Sequence, residues 1–239
     1  MYIDIHNHIL HGVDDGARTL EEALAMLQEQ AQQGAQALIL TPHYRHGMFP
    51  YDRETIQKNY LQLSEQGKAI GIPLYLGCEY HVNSDIITAF GSGRCRTLAG
   101  SDYVLTEYHH ETEYTYIMRN TQQLLSCGYL PIIAHAERYA CLTKKPKLCM
   151  ELQKIGARIQ LSADSVLGLD GKHTERVCRK MIQHGWADII ASDAHGIRQR
   201  PCRMKECYLL VAQKYGEEYA RELFYKTPLK IITEAGLRS

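Results

Sequence analysis

The stretch Tyr2-Ile3-Asp4-Ile5-His6-Asn7-His8 decides the fold class. It reads as a short β-branched strand that runs straight into two histidines two positions apart. A doubly wound nucleotide-binding sheet would place a glycine-rich turn at that point, and none stands there. Gly91-Ser92-Gly93 lacks the rest of a GxGxxG pattern, and Gly67-Lys68 lacks the upstream glycine and the following Ser/Thr of a phosphate loop. Working outward from residue 2, strands are expected at 2–6, 37–41, 74–79, 103–107, 130–134, 158–162 and 187–191. Between them, apolar residues recur three and four apart, as at Leu20, Ala23, Leu24, Leu27 and Ala31. Thr19-Leu20-Glu21-Glu22 predicts a capping box opening that first helix, and Gly34 predicts its end. Further helices are expected at 55–70, 114–126, 147–155, 175–184, 204–215 and 217–224. Successive strand ends lie 35, 38, 28, 27, 28 and 29 residues apart, which suits βα units with crossover helices. No linker or composition break interrupts the series, so one domain over residues 1–239 is expected. Without the glycine-rich turn, seven βα units favour a closed barrel over an open sheet.

Composition narrows the function classes. Lys+Arg and Asp+Glu are both 27, which argues against a general nucleic-acid binder or a polybasic membrane-surface protein. No apolar run approaches the roughly 20 residues of a membrane span. No basic segment followed by an apolar stretch opens the chain, so a cytoplasmic protein is expected. The eight cysteines show no CxxC spacing, and none has Arg six positions on. Zinc ribbons and the Cys-x5-Arg loop of cysteine-dependent phosphatases are therefore unsupported.

Metal-ligand residue types stand at almost every expected strand end. His6 and His8 follow the first strand and His43 the second. Glu79 closes the third, Glu107 the fourth, His135 follows the fifth, and Asp193 and His195 follow the seventh. In a parallel barrel these positions converge on the C-terminal face, where active sites are built. Imidazole with carboxylate suits Zn, Mn or Fe better than an all-oxygen calcium site. A single histidine at a strand end is ordinarily a surface or satisfied core residue. Eight such groups at six strand ends are harder to assign to solvated loops, while His11, His81, His109, His110, His173 and His184 scatter and His46 is ambiguous.

These residues carry a resemblance. Ile3-Asp4-Ile5-His6-Asn7-His8-Ile9-Leu10, Val13-Asp14-Asp15-Gly16-Ala17, Thr41-Pro42-His43-Tyr44, Gly77-Cys78-Glu79, Ala134-His135-Ala136-Glu137-Arg138-Tyr139, Ala191-Ser192-Asp193-Ala194-His195 and Arg200-Pro201 occur in order along the whole chain. The string resembles the polymerase and histidinol phosphatase (PHP) superfamily, and within it the bacterial CpsB/CapC-type protein tyrosine phosphatases. The resemblance implies a distorted (β/α)7 TIM-like barrel of the PHP type, two to three divalent or transition metal ions (Mn, Fe, Zn or Mg), and phosphotyrosine in proteins as substrate. It implies one metal on His6, His8, Glu79 and Asp193, a second on Glu79, Glu107 and His135, and a third on Asp15, His43 and His195. Arg138 and Arg200 match the family's phosphate-binding arginines, and with Asp15 they form the implied catalytic set. A bacterial tyrosine kinase in capsule or exopolysaccharide assembly is the implied partner.

Residue chemistry is consistent with that activity. Clustered cations lower the pKa of water and neutralise phosphoryl charge. Two guanidinium forks grip the remaining oxygens. The bland readings are a salt bridge from Arg138 to Glu137, and Arg200 in a solvated run with Arg198 and Arg203. The 16 tyrosines against 3 Phe raise a further choice. Tyr44, Tyr80 and Tyr108 each follow a proposed ligand, and either rim an aromatic pocket or pack under loops. Rival functions are a small-molecule phosphomonoesterase such as a histidinol phosphatase, an amidohydrolase, and a non-catalytic metal-binding scaffold.

Overall fold

The expected apolar runs pair with their neighbours in parallel, in chain order. The structure, a computed structural model, describes residues 1–234; the last five positions of the expected domain lie outside the described residues. Among the described residues nine strands are present: β1 (Tyr2–Asp4), β2 (Ala35–Leu40), β3 (His43–Tyr44), β4 (Leu74–Leu76), β5 (Glu79–His81), β6 (Tyr103–Glu107), β7 (Leu130–Ile133), β8 (Arg158–Ser162) and β9 (Ile189–Ala191). They form one hydrogen-bonded set ordered β1-β2-β4 and another ordered β3-β5-β6-β7-β8-β9, parallel throughout. The result is a mixed α/β fold with a curled parallel half-barrel sheet.

The expected strand at 74–79 is interrupted, and the expected strand at 37–41 ends at Leu40 with a further short strand beyond its expected end. Thr41-Pro42 separates β2 from β3, because proline has no N–H to give a ladder. Gly77-Cys78 separates β4 from β5, where a Cβ on Gly77 would stand 2.7 Å from Leu98 Cδ2. Gly77 N–H to Leu40 O (2.8 Å) and Glu79 N–H to Pro42 O (3.2 Å) carry the pairing across the gap. The first strand also stops at Asp4, short of the expected His6. The buried Asp4 carboxylate accepts from the backbone N–H of both His6 and Ser192 (3.3 and 3.0 Å), so a side chain replaces a ladder partner. Beyond it, Asn7 bridges to Ala194, and Asp193 N–H donates to His6 O at 2.8 Å.

Strand alternation sorts the core into two layers. Ile3, Ile5, Ile39, Leu105, Ile132 and Ile189 share one buried cluster, onto which Ile231 of the helix Thr227–Glu234 packs. The other face meets the crossover helices, including α1 (Leu20–Gln32) and α2 (Arg53–Ala69). At the start of α1 the capping box is half formed. Glu22 N–H donates to Thr19 Oγ1 (3.3 Å), but the Glu22 carboxylate accepts from Arg18 N–H (2.8 Å) instead of closing on Thr19. Gly34 sits just past the end at φ +92°, a left-handed position that favours glycine.

Candidate metal centre

Cross-strand register begins the site. His43 pairs with Glu79, which pairs with Leu105, so the imidazole and the carboxylate stand side by side on one face. By the same alternation Tyr44 and Tyr80 fall on the opposite face, where their rings stack at 5.1 Å. Tyr80 is fully buried and Tyr108 nearly so, so Tyr44 and Tyr80 are helix-side core, while Tyr108, though buried, also borders a cavity described below.

Glu79 is the hub. Its Oε2 lies 3.1 Å from His6 Nε2, 3.3 Å from His8 Nε2 and 3.0 Å from His43 Nδ1, while Oε1 lies 2.8 Å from His135 Nε2. Asp193 Oδ1 faces the same pair, 3.4 Å from His6 and 3.5 Å from His8. Glu107 closes the group at 3.8 Å from His135 and 4.0 Å from His43. Asp15 Oδ1 is 3.5 Å from both His43 Nε2 and His195 Nε2. All nine expected ligands therefore gather in one cluster. The compact groups are His8, Asp15, His43 and His195; His6, His8 and Asp193; His6, Glu79 and His135; and His43, Glu79 and Glu107. The expected third trio thus stands together with His8 added, while the other two expected sets are divided differently around Glu79.

The outward nitrogens of three histidines are held by acceptors. His8 Nδ1 donates to Asp14 Oδ2 (2.7 Å), and His195 Nδ1 to the Asp193 carbonyl (2.9 Å). His6 Nδ1 donates to Gln160 Oε1 (3.0 Å), an oxygen whose acceptor role is fixed because it also receives His135 N–H (2.9 Å). Such partners orient metal-binding imidazoles and set the tautomer. The inward Nε2 atoms of His6 and His8 thus present lone pairs to carboxylate lone pairs. That juxtaposition needs a proton or a cation between them. Among the described residues, Glu79 Oε2, His43 Nδ1 and His195 Nε2 are buried without a hydrogen-bond partner. A mixed imidazole and carboxylate donor set with orphaned inward atoms fits divalent or transition metal ions.

Electrostatics follow from this crowding. Burial alone would raise the pKa of Glu79, but the imidazoles of His6, His43 and His135 hold it well below the ordinary value. Asp193 is lowered in the same way, against its burial, by His6, His8, Arg138 and Arg200. Burial opposes the charging of His8, yet Asp14 carries its pKa well above the usual one. His43 and His195 move down, through burial. For Asp15 the close approach of the His195 imidazole leads, and its carboxyl drops.

Arg138 and Arg200 converge on the far side of Asp193, their guanidinium nitrogens 2.8 and 2.5 Å from Oδ2. Neither bland reading describes them. The buried Glu137 instead accepts from Ser162 N–H, and Arg203 lies against Asp164. Backbone strain collects at the same place. Among the described residues, four non-glycine residues have positive φ, and His135, Asp193 and Arg200 are three of them. Each costs about 1–3 kcal/mol unless its surroundings impose it. A glycine makes the Asp14-Asp15 segment possible, since a Cβ on Gly16 would stand 2.0 Å from His8 O.

A cavity of about 410 Å³ opens beside the cluster, bordered by Glu107, Tyr108, His135 and Arg138 and by His81, His109, His110 and His173. His81, His109, His110 and His173 are thus not scattered as expected, and His81 reaches the cluster itself. Its Nδ1 is 2.9 Å from Glu107 Oε2. The i, i+2 rule that links His6 to His8 also links Glu79 to His81, and would have found it. Asp14 and Gln160 were missed as well. The available signals were an acid adjoining Asp15 and a polar residue inside an apolar strand. His46 is exposed, and His184 stacks on Trp186 at 4.6 Å.

Comparison with known proteins adds an independent line. The family model described as capsular polysaccharide synthesis, CpsB/CapC, matches residues 2–233. Tyrosine-protein phosphatase CpsB of Streptococcus pneumoniae is 34% identical over 97% of this chain and 98% of its own length. Putative tyrosine-protein phosphatase CapC of Staphylococcus aureus is 34% identical over 86% of this chain and 82% of its own. Among solved structures, one described as YwqE from Bacillus subtilis and CpsB from Streptococcus pneumoniae, unique metal-dependent tyrosine phosphatases, superposes with a TM-score of 0.90. It is 25% identical and covers 97% of this chain and 94% of the matched one. No described helix is long and apolar enough to cross a membrane.

Proposed function

The chain belongs to the CpsB/CapC family, and from that premise we propose that it is a metal-dependent protein tyrosine phosphatase, a phosphoric monoester hydrolase. The observation that carries the reading is the meeting of nine His, Asp and Glu side chains with two guanidinium groups on Asp193. His6, His8, Glu79 and Asp193 would hold one metal ion; Glu79, Glu107 and His135 a second; Asp15, His43 and His195 a third. Two to three ions of Mn, Fe, Zn or Mg, when bound, supply charge neutralisation at phosphorus and a water acidic enough to attack near neutral pH.

The chain's own residues do the rest. Arg138 and Arg200 bind the phosphoryl oxygens with paired donors and hold the phosphorus in line for displacement. The cavity beside Glu107 takes the tyrosyl ring, with Tyr108 and the histidines around it. Asp14 and Gln160 keep His8 and His6 aimed inward. A cysteine nucleophile finds no support here. No cysteine stands in the cluster, and burial pushes the Cys202 thiol up to about 12.

On the same reading, the two interrupted strand pairs count as single strands. The sheet is then the seven-stranded PHP barrel of one domain, and the protein acts in the cytoplasm against a tyrosine kinase of capsule or exopolysaccharide assembly. The test is turnover of phosphotyrosine peptides and of histidinol phosphate by metal-supplemented protein. Faster hydrolysis of the peptides, abolished by a chelator, supports the reading. Preference for histidinol phosphate, or a trapped phosphocysteine, refutes it.

A further inference from the structure

Away from the metal cluster, cations gather along one path in a chain whose basic and acidic residues balance overall. The cavity beside Glu107 is also lined by Arg45. Arg45 continues into a second cavity of about 360 Å³ that adds Arg53 and Arg94. Arg53 in turn borders a depression lined by Lys58 and Arg96. Glu54 is the one acid lining either of these two hollows among the described residues. Arg94 has an ion pair, with Asp85 at 3.0 Å, and Arg96 donates to the neutral Gln57. Arg45, Arg53 and Arg96 form no ion pair among the described residues, so their charge faces the groove uncompensated.

We propose that this groove binds a carboxylate-rich segment flanking the phosphotyrosine of the substrate protein, an inference that rests on the phosphatase reading above. Continuity is what selects a peptide. Arg45 belongs to both the catalytic cavity and the groove, so an occupant of the groove lies next to the group being hydrolysed. Exposed charges of this kind act through long-range attraction, which salt screens. The groove therefore acts on KM and leaves the chemical step alone.

The experiment compares two phosphotyrosine peptides that differ only in Asp/Glu against Asn/Gln around the tyrosine, with p-nitrophenyl phosphate as a substrate too short to reach Arg53. The wild-type protein is expected to favour the acidic peptide about three- to tenfold through KM at low salt, and less at high salt. The double variant Arg53→Glu/Arg96→Glu should lose that preference while hydrolysing p-nitrophenyl phosphate at the wild-type rate, which also reports that it is folded. Equal KM for the two peptides overturns the proposal. So does an equal loss on p-nitrophenyl phosphate. Binding to phosphatidylserine vesicles without discrimination between peptides overturns it in favour of a membrane surface. If no phosphotyrosine substrate is turned over with any metal, the phosphatase reading itself falls, and this inference with it.

Discussion

The two ends of the ligand cluster are built differently. At one end His6, His8, Glu79 and Asp193 are all at most 3% exposed, and the outward nitrogen of each of the two imidazoles is held by Gln160 or Asp14. At the other end Asp15, facing His43 and His195, is half exposed. His43 has carboxylates opposite both of its ring nitrogens, so no neighbour fixes its tautomer. Buried ligands with locked partners bind an ion without reorganising, whereas exposed ligands must be ordered when it arrives. The deep end is the part expected to keep its metal through dialysis, and the open end the part expected to exchange it.

The strongest challenge to that contrast is His6→Ala combined with His8→Ala. Activity on phosphotyrosine peptides should fall to background, and elemental analysis should show the tightly held metal gone. Asp15→Ala should cost only the exchangeable ion, so equal metal loss in both variants would erase the distinction. Arg138→Ala and Arg200→Ala come next. Each removes one charge-assisted contact to the phosphoryl group and should lower kcat/KM about 10- to 100-fold. Metal content should be unchanged, because both arginines touch Oδ2 of Asp193 and not the oxygen facing His6 and His8. Lys should restore each only in part.

Asp14→Ala removes no proposed ligand but frees His8 and gives up the bonds from His43 N–H and Gly16 N–H, and should weaken metal binding roughly 10- to 100-fold in a competition titration with a chelator. An unchanged affinity would mean that the locked tautomer contributes nothing to the deep end. The smallest effect belongs to His81, which holds Glu107 from the cavity side. His81→Ala should cost less than about tenfold in activity. Asn, whose amide can stand where Nδ1 stood, should rescue it, and Gln should not.

How much of this was legible in the sequence depends on the residue. Eight of the nine proposed ligands were readable because strand periodicity and residue type coincide at strand ends, and position in a parallel sheet then forces convergence; Asp15, in the loop after β1, came only from the resemblance. Their partners were not. Gln160 acts through a contact across the fold and Asp14 through one six positions back in the chain, and an acid beside Asp15 or an amide inside an apolar strand does not by itself say which imidazole it holds. His81 was readable by the alternation already applied to His6 and His8. The strand interruptions at Pro42 and Gly77 were visible as residue types, but whether a break ends a strand or merely kinks it depends on the neighbours across the gap. The tyrosines after His43 and Glu79 were ambiguous until register assigned their face, and the arginines until the turn through the left-handed Arg200 aimed its guanidinium back at Asp193.

The link between Asp4 and Ser192 spans 188 positions of the chain. A ribosome adding 5–20 residues per second needs on the order of 10–40 s to cover that interval. For most of it His6 and His8 are already made, with neither Asp193 nor the strand that precedes it yet synthesised. Local pieces such as the β1-α1-β2 unit have partners to fold against early, but the first and seventh expected strands close on each other only once synthesis has passed residue 194. Long-range closure of this kind is slow compared with helix formation. On the proposed reading, the part of the site that needs Asp193 and His195 is therefore completed only near the end of synthesis, and a nascent chain stalled before residue 192 would carry His6 and His8 without them.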